Sequence, residues 1–355
     1  MIPLIVDLES EWRGGQSQAL LLLKGLYERG HAAELIAPHG SVLAHRASSA
    51  GICVHRVHHR LLRLRAAATI RQVLSDGRIE LVHVNEPHGL TAAWLAGAHK
   101  KVPLLVSRRV AYPIQSRKRY LAARSILAIS RFVKESLVES GIPEESLELV
   151  YEGVEVAVPV TADVRARARQ RWGVAENEML LGCVGYLLPE KGQEFLVKAL
   201  PAVLAQRPNV KLILAGDGPC RQPLELLCSQ NGLQANVIFA GFVKDIAEVY
   251  AALDVFVFPS VAEPLGTSLL AAMAWGLPVL AVASGGVPEY VATGETGLLV
   301  DRSESELLAG ALRRLLGEPG LAKRLGAAAR AHIEENLSAS VMVENTLNVY
   351  DRVLG

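Results

Sequence analysis

One carboxylate, Glu263, stands at the start of a long uncharged run in a segment that could bind an anion and a sugar. The segment reads FPSVAEPLGTSLL, and no Asp, Glu, Lys or Arg follows until Glu289. Thr267 and Ser268, with the backbone N–H groups at a helix start, can form an anion site. A phosphate would repel Glu263, so sugar hydroxyls are the ligand expected for this carboxylate. The alternative is an acid that interacts only with the helix dipole.

Three other segments carry residue types that suit phosphate binding. RGGQSQ contains Gly14 and Gly15, whose missing side chains let backbone N–H groups approach an oxyanion. In LLPEKGQ, Lys191 can neutralise phosphate as a point charge. LAGDGPC contains Gly216, but Arg221 replaces the third glycine of a dinucleotide fingerprint, so that fingerprint fails. Taken singly, each segment could also be an ordinary turn or surface loop.

The sequence does not contain the motifs of several other chemistries. It has no G-x-S-x-G, H-E-x-x-H or Walker lysine motif. His55, His58 and His59 lie close together, but we expect no cysteine or acid to join them, and we predict no metal site. The four cysteines are scattered without C-x-x-C, which favours small buried thiols in a reducing compartment.

The elements that must position these loops follow from short apolar runs that alternate with helix-period segments. The apolar runs are PLIVDL, AELIA, LVHVN, PLLVS, ILAIS and LELVY, then MLLGCVGY, KLILAG, NVIFAGF, VFVFPS, PVLAVA and GLLV. This alternation predicts parallel sheets covered by helices on both faces. Twelve strands are too many for one comfortable open sheet. The predicted fold class is therefore α/β, with two doubly wound domains whose ligands lie at strand-to-helix loops.

The uncharged stretch 264–288 is long enough by count to span a bilayer. Gly276 and Pro278 interrupt it in the middle. We predict a buried helix at about 266–275, a turn, and a buried strand PVLAVA instead of a membrane span.

The domain boundary is predicted where YEGVEVAVPVTAD shows no helical period and contains Pro159. This gives a first domain at 1–158 and a second at 159–337, followed by a last helix within 338–355. The start MIPLIVDLE lacks the basic region of a signal peptide, so a cytoplasmic protein is expected.

Charge is distributed unevenly along the 355 residues. Half of the residues are hydrophobic and 21% are charged, a globular composition with a net charge of +1. Residues 46–119, however, hold 14 Lys/Arg against 3 Asp/Glu. For a single arginine a solvated face is the better interpretation, but the whole segment favours an anionic partner or peripheral contact with a membrane surface. No nucleic-acid partner is predicted.

The order of these segments resembles glycosyltransferase family 4 over nearly the whole chain. The matching text is RGG, AISRFVKESLVESGIPEESLELVYEGVE, VGYLLPEKG, LAGDGP, FPSVAEPLGTSLLAAMAWGLPVLAVASGGVPE and TGLLV. The resemblance implies the GT-B architecture, two Rossmann-like domains facing across a cleft. It implies transfer from a nucleotide sugar with retention, without a metal or other cofactor. The donor would lie mostly on the second domain and the acceptor on the first, to which the last helix crosses back.

The resemblance also implies roles for residues of the donor side. Lys191 matches the lysine that neutralises the diphosphate, and Glu263 matches the first acid of E-x7-E, which holds sugar hydroxyls. Residues 266–268, which are Gly266, Thr267 and Ser268, match the helix start whose amides bind diphosphate. Gly15, with Gly14 beside it, resembles the loop glycine that faces the phosphates. Val243 lies where the nucleobase rests, and Gly216 completes the predicted donor side.

The sequence departs from the family pattern at four places. Ala271 replaces the second acid of E-x7-E, which binds ribose, and Tyr186 replaces an arginine. Glu152 replaces the asparagine of N-G-V-D. SRRV replaces the segment with the first-domain histidine, which makes Arg108 and Arg109, together with His88, the predicted acceptor-side residues.

The function predicted from the sequence is a retaining, metal-independent glycosyltransferase. Its predicted acceptor is a glycan, with an anionic lipid-linked or lipopolysaccharide-type molecule favoured by the basic segment, which would suit assembly of a cell-envelope polysaccharide. Two alternatives stay open. Tyr186 and Ala271 together suggest a catalytically weak nucleotide-sugar-binding protein, and an epimerase of the same architecture is the third hypothesis.

Overall fold

A computed structural model describes residues 1–158 and 160–355 of the chain. The contacts divide it into two compact units, unit 1 with residues 1–153 and 337–355 and unit 2 with residues 154–336. Pro159, the first residue of the predicted second domain, lies outside the described residues. The last 19 residues of the chain are thus part of unit 1.

Unit 1 contains a fully parallel sheet in the order β3-β2-β1-β4-β5-β6-β7, counted over the described residues. The strands are β1 (Pro3–Val6), β2 (Glu34–Pro38), β3 (Cys53–Val57), β4 (Leu81–Val84), β5 (Leu104–Arg108), β6 (Ser125–Ala128) and β7 (Leu147–Leu149). The helices are α1 (Gly14–Glu28), α2 (Val42–Ser49), α3 (Leu62–Ser75), α4 (Pro87–Ala96), α5 (Arg117–Tyr120), α6 (Arg131–Glu139) and, at the chain's end, α14 (Ala339–Leu354).

Unit 2 repeats this plan with a parallel sheet in the order β10-β9-β8-β11-β12-β13, again over the described residues. The strands are β8 (Met179–Val184), β9 (Val210–Ala215), β10 (Val237–Gly241), β11 (Val255–Phe258), β12 (Val279–Val282) and β13 (Leu298–Val300). The helices are α7 (Ala162–Arg171), α8 (Gln193–Leu204), α9 (Arg221–Gln230), α10 (Ala247–Tyr250), α11 (Thr267–Ala274), α12 (Ser305–Gly317) and α13 (Leu321–Asn336).

Both strand orders are those of a Rossmann-like sheet, so the α/β prediction is confirmed. The central strands are buried along their whole length, because helices cover both faces, and they therefore read as continuous apolar runs. The sequence analysis missed β3. This edge strand, CVHRV, is exposed at Cys53 and Arg56, half-buried at Val54 and His55, and shows no apolar run, so it was interpreted only as part of the basic segment.

The uncharged stretch 264–288 folds as predicted. It forms α11 and β12, both largely buried in unit 2, with a turn between them. Among the helices of residues 1–158 and 160–355, none has both the length and the apolar composition needed to cross a bilayer.

The terminal helix α14 packs against α1 and the sheet of unit 1. Met342, Val343 and Val349 join the core cluster that includes Leu23 of α1. Tyr350 is fully buried, and its hydroxyl lies 2.6 Å from His83 Nδ1, while His83 Nε2 lies 2.8 Å from Ser107 Oγ. Burial lowers the pKa of His83 to about 3, so the imidazole is neutral in the core. The helix is thereby fixed to β4 and β5 by packing and hydrogen bonds.

Candidate active site

The strand order of unit 2 reverses direction between β8 and β11. In doubly wound sheets, ligands bind at the carboxyl ends of the two strands that flank such a point. The loops that leave these two strands are residues 185–192 and 259–266. They contain Lys191 and Glu263, so the topology brings the two predicted catalytic residues to the same edge of the sheet.

These two loops are pressed against each other at Gly192. This residue has φ +69°, and a Cβ atom on it would lie 2.0 Å from the carbonyl oxygen of Pro259. The N–H of Val261 donates to the carbonyl of Glu190 at 2.9 Å. Only glycine allows this approach, because any side chain would meet backbone rather than a movable group.

Lys191 and Glu263 form an ion pair with 2.6 Å between Nζ and Oε2. The lysine side chain is 27% exposed and the glutamate side chain 10%. Ser260 Oγ lies 3.1 Å from the same carboxylate oxygen. Glu263 has no acidic partner later in its own segment, and it is paired instead with Lys191, 72 residues earlier in the chain. The ammonium group has three donors, so the pair leaves it able to bind a further anionic oxygen.

The helix that follows Glu263 begins at an uncapped end. Gly266 has φ +97°, a left-handed conformation, and no side chain caps α11 in the described structure. The N–H groups of Leu269 and Leu270 bond back to the carbonyl of Gly266, at 3.0 and 3.1 Å. The amides of Thr267 and Ser268 come before them, at the positive end of the helix dipole. This end can accept an anion, as predicted from the sequence.

Buried tyrosines fix the backbone on both sides of this helix start. The hydroxyl of Tyr290 donates to the carbonyl of Leu265 at 2.5 Å, and the hydroxyl of Tyr250 donates to that of Ser268 at 3.0 Å. Burial raises the pKa of both tyrosines well above the ordinary value, so both hydroxyls remain donors. The helix start is therefore preorganised.

The partly exposed face of α11 carries no carboxylate. Thr267, Ser268 and Ala271 are half-buried, while Leu269 and Leu270 are buried. Residues three and four apart lie on one helix face, so Ala271 shares its face with the two hydroxyl residues. Ala271, which replaces the second acid of the family pattern, therefore lies on the partly exposed face of α11.

The remaining residues predicted to lie on the donor side, including Tyr186, are on the loops after β8, β9 and β10. Tyr186 is 54% exposed, and its carbonyl accepts from Gln193 Nε2 at 3.2 Å. Gly216 lies so close to Gly185 that a Cβ atom on it would meet a carbonyl oxygen at 1.9 Å. Val243 is half-buried in the loop after β10. All three follow carboxyl ends of neighbouring strands, on the same edge as the Lys191–Glu263 pair.

Unit 1 has its own reversal of strand order, between β1 and β4. A polar network fills this point, which the sequence analysis missed. Asp7 is fully buried and accepts from Asn85 Nδ2 at 2.5 Å and from Gln16 Nε2 at 3.1 Å. Asn85 also contacts the carbonyl of Gly15 at 3.1 Å. These two residues could have been found from their positions, because Asp7 and Asn85 each follow the last residue of a buried strand.

Arg109 lies against the start of α1. Its Nε donates to Glu152 Oε1 at 2.7 Å, and its Nη1 donates to the carbonyl of Asn85 at 2.7 Å. A Cβ on Gly15 would lie 3.5 Å from Arg109 Cδ. The Arg109 and Glu152 side chains are 18% and 7% exposed. Two departures from the family pattern, one in SRRV and one at Glu152, therefore pair with each other.

The other predicted acceptor-side residues lie in different surroundings. Arg108 is only 5% exposed, and its Nη1 donates to Tyr120 Oη at 3.0 Å, so it is held within the unit rather than presented to solvent. His88 is exposed, with Nδ1 2.6 Å from Arg63 and Nε2 3.8 Å from Glu9. Arg109 and His88 are thus better placed than Arg108 to contact a ligand.

The expectation that no cysteine or acid joins the histidines of the basic segment is wrong. His55 Nε2 lies 2.7 Å from Glu34 Oε2 and 3.9 Å from Cys53 Sγ. The prediction that the cysteines are buried also fails for Cys53, which is exposed. β2 and β3 pair in register and bring these side chains together. Arg78 also forms an ion pair with Glu34 and supplies a positive charge to this carboxylate.

The pKa of the buried Glu86 carboxyl is strongly raised. The Glu86 carboxylate caps α4 by accepting from the N–H groups of Gly89, at 2.5 Å, and of His88. It also accepts from the N–H of Leu8 at 3.0 Å. Burial, and then the nearby Asp7 carboxylate, raise its pKa from 4.5 to about 7. The folded protein therefore holds a proton on Glu86 at pH values where the unfolded chain has released it.

We expect the contribution of Glu86 to stability to be full below pH 4.5 and to be lost as the pH rises through about 7. Glu86→Gln cannot ionise, so the free energy of unfolding of wild type relative to this variant should fall by about 3 kcal/mol across that window. Urea unfolding of both proteins at several pH values measures this difference. His83 changes stability in the opposite direction but is present in both proteins and cancels. A constant difference would contradict the raised pKa.

Comparisons with known proteins show the family and the fold of the chain. The family described as "Glycosyl transferases group 1" matches residues 164–332, and "Glycosyltransferase Family 4" matches residues 12–158. The Anabaena protein HepE, solved in complex with UDP-glucose, superposes with a TM-score of 0.86 at 23% identity, covering 99% of this chain and 100% of that chain.

Two relatives share more sequence with the chain. An uncharacterized glycosyltransferase of Methanocaldococcus jannaschii is 32% identical over 231 residues, 63% of this chain and 59% of that protein. A GDP-mannose-dependent monoacylated alpha-(1-6)-phosphatidylinositol monomannoside mannosyltransferase of Corynebacterium glutamicum is 36% identical over 208 residues, 56% of this chain and 54% of that protein. The matches thus span less than two thirds of these relatives.

The two Rossmann-like sheets and the superposition on HepE show that the protein has the GT-B fold. Its switch point in unit 2 carries a lysine, an acid and an uncapped helix start. The chain belongs to glycosyltransferase family 4.

Proposed function

We propose that this protein transfers a sugar from a nucleoside-diphosphate sugar to a glycan acceptor and retains the anomeric configuration. The observation that carries the proposal is the Lys191–Glu263 pair at the switch point of unit 2. Glu263 lies in the loop that leads into the uncapped start of α11. A fixed cation and fixed amides at one sheet edge suit a leaving diphosphate, and a carboxylate beside them suits the hydroxyls of the transferred sugar.

The mechanism requires no separate nucleophile. The bond between the anomeric carbon and the diphosphate breaks, and the acceptor oxygen bonds to that carbon from the same face. The acceptor's proton passes to a leaving phosphate oxygen. Lys191 and the amides of Thr267 and Ser268 stabilise the charge that develops on the diphosphate, an effect that is often the largest in enzymes of this kind. Glu263 positions the sugar and orients the Lys191 amine.

The proposed acceptor is an anionic, lipid-linked glycan bound through unit 1. The 14 to 3 excess of basic residues in 46–119 supports this assignment. The name of the Corynebacterium relative, which describes a phosphatidylinositol mannoside acceptor, supports it as well. On unit 1, Arg109 and His88 lie at strand ends where such an acceptor could bind.

The test is release of nucleoside diphosphate from GDP-mannose and from UDP-glucose, with extracted membrane lipid as acceptor. We expect one donor to be consumed only when acceptor is present, with an α-linked product by NMR. A β-linked product would contradict retention. An epimerised donor without acceptor would favour the epimerase hypothesis, and failure of calorimetry to detect GDP or UDP binding would favour the weak binding protein.

A further inference from the structure

Three side chains with metal-binding atoms meet at the amino ends of β2 and β3. Glu34 is the first residue of β2, Cys53 is the first residue of β3, and His55 follows two positions later. A carboxylate oxygen of Glu34, the thiol sulfur of Cys53 and a ring nitrogen of His55 all lie within 4.8 Å of one another. We call these three residues the β2–β3 cluster. It lies at the edge of the sheet opposite to the strand ends that carry Asp7 and Asn85.

The pairing of the two strands fixes this arrangement. Glu34 is the register partner of Cys53 in the parallel pair of β2 and β3. Residues two apart in a strand project to the same face, so Cys53 and His55 lie on one side of β3. His55 Nε2 lies 2.7 Å from Glu34 Oε2 and 3.9 Å from Cys53 Sγ. The backbone therefore brings the three groups together before any ligand arrives, which lowers the entropy cost of binding one.

The distances in the cluster suit a tetrahedral zinc ion after small shifts. Zinc bonds of about 2.0–2.1 Å to nitrogen and oxygen and about 2.3 Å to sulfur place nitrogen about 3.3 Å from oxygen and about 3.6 Å from sulfur. The observed distances are 2.7 Å and 3.9 Å, so neither changes by more than about 0.6 Å. A thiolate, an imidazole and a carboxylate together favour Zn²⁺ over Mg²⁺ and Ca²⁺, which prefer oxygen ligands alone.

The electrostatics of the cluster also suit a bound cation. Burial lowers the pKa of His55 below the ordinary value, and the Asp76 carboxylate raises it by less. The imidazole is therefore neutral at neutral pH and keeps a lone pair for a metal ion. The Glu34 side chain is only 5% exposed, so its negative charge requires a cation beside it.

Arg78 supplies positive charge to Glu34 and would compete with a metal ion. Its Nη2 lies 3.2 Å from Glu34 Oε2, and its Nη1 donates to Oε1. The Arg78 side chain is 42% exposed, and its Nε lies 3.7 Å from Asp76 Oδ2. An exposed guanidinium can withdraw from Oε2 towards Asp76 and solvent. A metal ion at Oε2 thus displaces one contact of the arginine and does not leave a buried charge unpaired.

We propose that the β2–β3 cluster binds one Zn²⁺ ion through Cys53 Sγ, His55 Nε2 and Glu34 Oε2, with water as the fourth ligand. The thiol proton passes to solvent when the zinc–sulfur bond forms, and His55 stays neutral with its proton on Nδ1. The ion joins the edge strand β3 to β2 and thereby stabilises unit 1.

This site differs from the expectation drawn from the sequence. No metal site was predicted at the histidines because no cysteine or acid was expected beside them, and the contacts of Cys53 and Glu34 with His55 remove that reason. The site is independent of the proposed sugar transfer, since Lys191 and Glu263 belong to unit 2. Transfer in the proposed mechanism still uses no metal.

Zinc binding to the full chain, kept reduced, is measured by competition with a chromophoric chelator. We expect one Zn²⁺ per chain for wild type and no binding of Mg²⁺. Cys53→Ser should weaken zinc binding by about tenfold or more, because it removes a direct ligand. Cys53 is exposed, so this variant should keep the wild-type melting temperature without zinc. Cys220→Ser, at the partly exposed cysteine of unit 2, is the matched control and should bind as wild type.

Two further measurements identify the ligands. Co²⁺ in place of Zn²⁺ should give a sulfur-to-cobalt charge-transfer band in wild type that Cys53→Ser lacks. Arg78→Gln removes the group that competes for Glu34, so zinc should bind this variant more tightly than wild type. Zinc should also raise the melting temperature of wild type but not that of Cys53→Ser, because only a ligand bound to the folded state stabilises it.

Several results would overturn the proposal. Lack of zinc binding by the reduced wild type does so, and so does equal binding by wild type and Cys53→Ser. Loss of binding only in His58→Ala would place the ion at the stacked rings of His58 and His39 instead. Equal or weaker binding in Arg78→Gln would contradict Glu34 as a ligand. None of these measurements uses donor consumption, so failure of the proposed function would leave them unchanged.

Discussion

Lys191→Ala should reduce the rate of sugar transfer by about 10²–10³-fold while the protein stays folded. The Lys191 amine is held 2.6 Å from Glu263 and is only 27% exposed. In the proposed mechanism it would therefore meet the developing negative charge without first having to be ordered. Alanine removes this charge and leaves the amides at the start of α11 to stabilise the diphosphate alone. The measurement is the initial rate of diphosphate release from whichever of GDP-mannose and UDP-glucose the wild type consumes.

Lys198→Ala is the control for this experiment. Lys198 lies on the adjoining helix α8 and pairs with Glu194 at the surface, where an ion pair contributes little. Its rate should equal that of wild type, and both variants should be compared by melting temperature because Glu263 loses its cation only in Lys191→Ala. A wild-type rate in Lys191→Ala would remove the assigned role of the amine and with it the main support for the proposed mechanism.

Gly192→Ala should destabilise the protein by about 3 kcal/mol or more and abolish transfer. The new Cβ would lie 2.0 Å from the Pro259 carbonyl oxygen, and φ +69° is unfavourable for alanine. Neither can be relieved by a side-chain rotation, so the loops after β8 and β11 must separate. That separation would break the contact between Lys191 and Glu263. Urea unfolding measures the change in the free energy of unfolding, and the transfer assay measures the loss of activity.

Gly232→Ala separates the cost of the left-handed backbone conformation from the cost of the steric clash. Gly232 has nearly the same backbone angle, φ +67°, but a Cβ on it would meet nothing within 4 Å. This control should therefore cost only about 1 kcal/mol, the usual penalty of the left-handed conformation, and should leave transfer intact. If the two variants lost equal stability, the loops would not be in the close contact described for Gly192.

Much of the architecture could be predicted because its signals are local. The buried strands β1, β4, β8 and β11 are read from short apolar runs, and α11 with β12 is read from a glycine–proline interruption. The edge strand β3 was missed because its partial exposure and the polar residues His55 and Arg56 remove the apolar signal. Expectations about the histidines near β3 failed for the related reason that Glu34 comes from a different strand.

The candidate site was predictable in its residue types but not in its contacts. Lys191 and Glu263 were each recognised by their loops, whereas their pairing depends on which strands become neighbours. Arg108 and Arg109 are adjacent in sequence, yet one is buried beside Tyr120 and the other holds Glu152. Arg108 is the last residue of β5 and Arg109 the first residue after it, and only the packed unit decides what each side chain meets.

The sequence by itself determined the α/β class and the loops that carry the anion-binding and acidic groups, because hydrophobic period and glycine placement act over a few residues. The family followed from the order of these segments, which resembles glycosyltransferase family 4. The tertiary structure alone decided that Glu263 is paired with Lys191 and that two departures from the family pattern, Arg109 and Glu152, neutralise each other. Such contacts join side chains across crossover connections. Their existence depends on sheet order and packing, which no local pattern records.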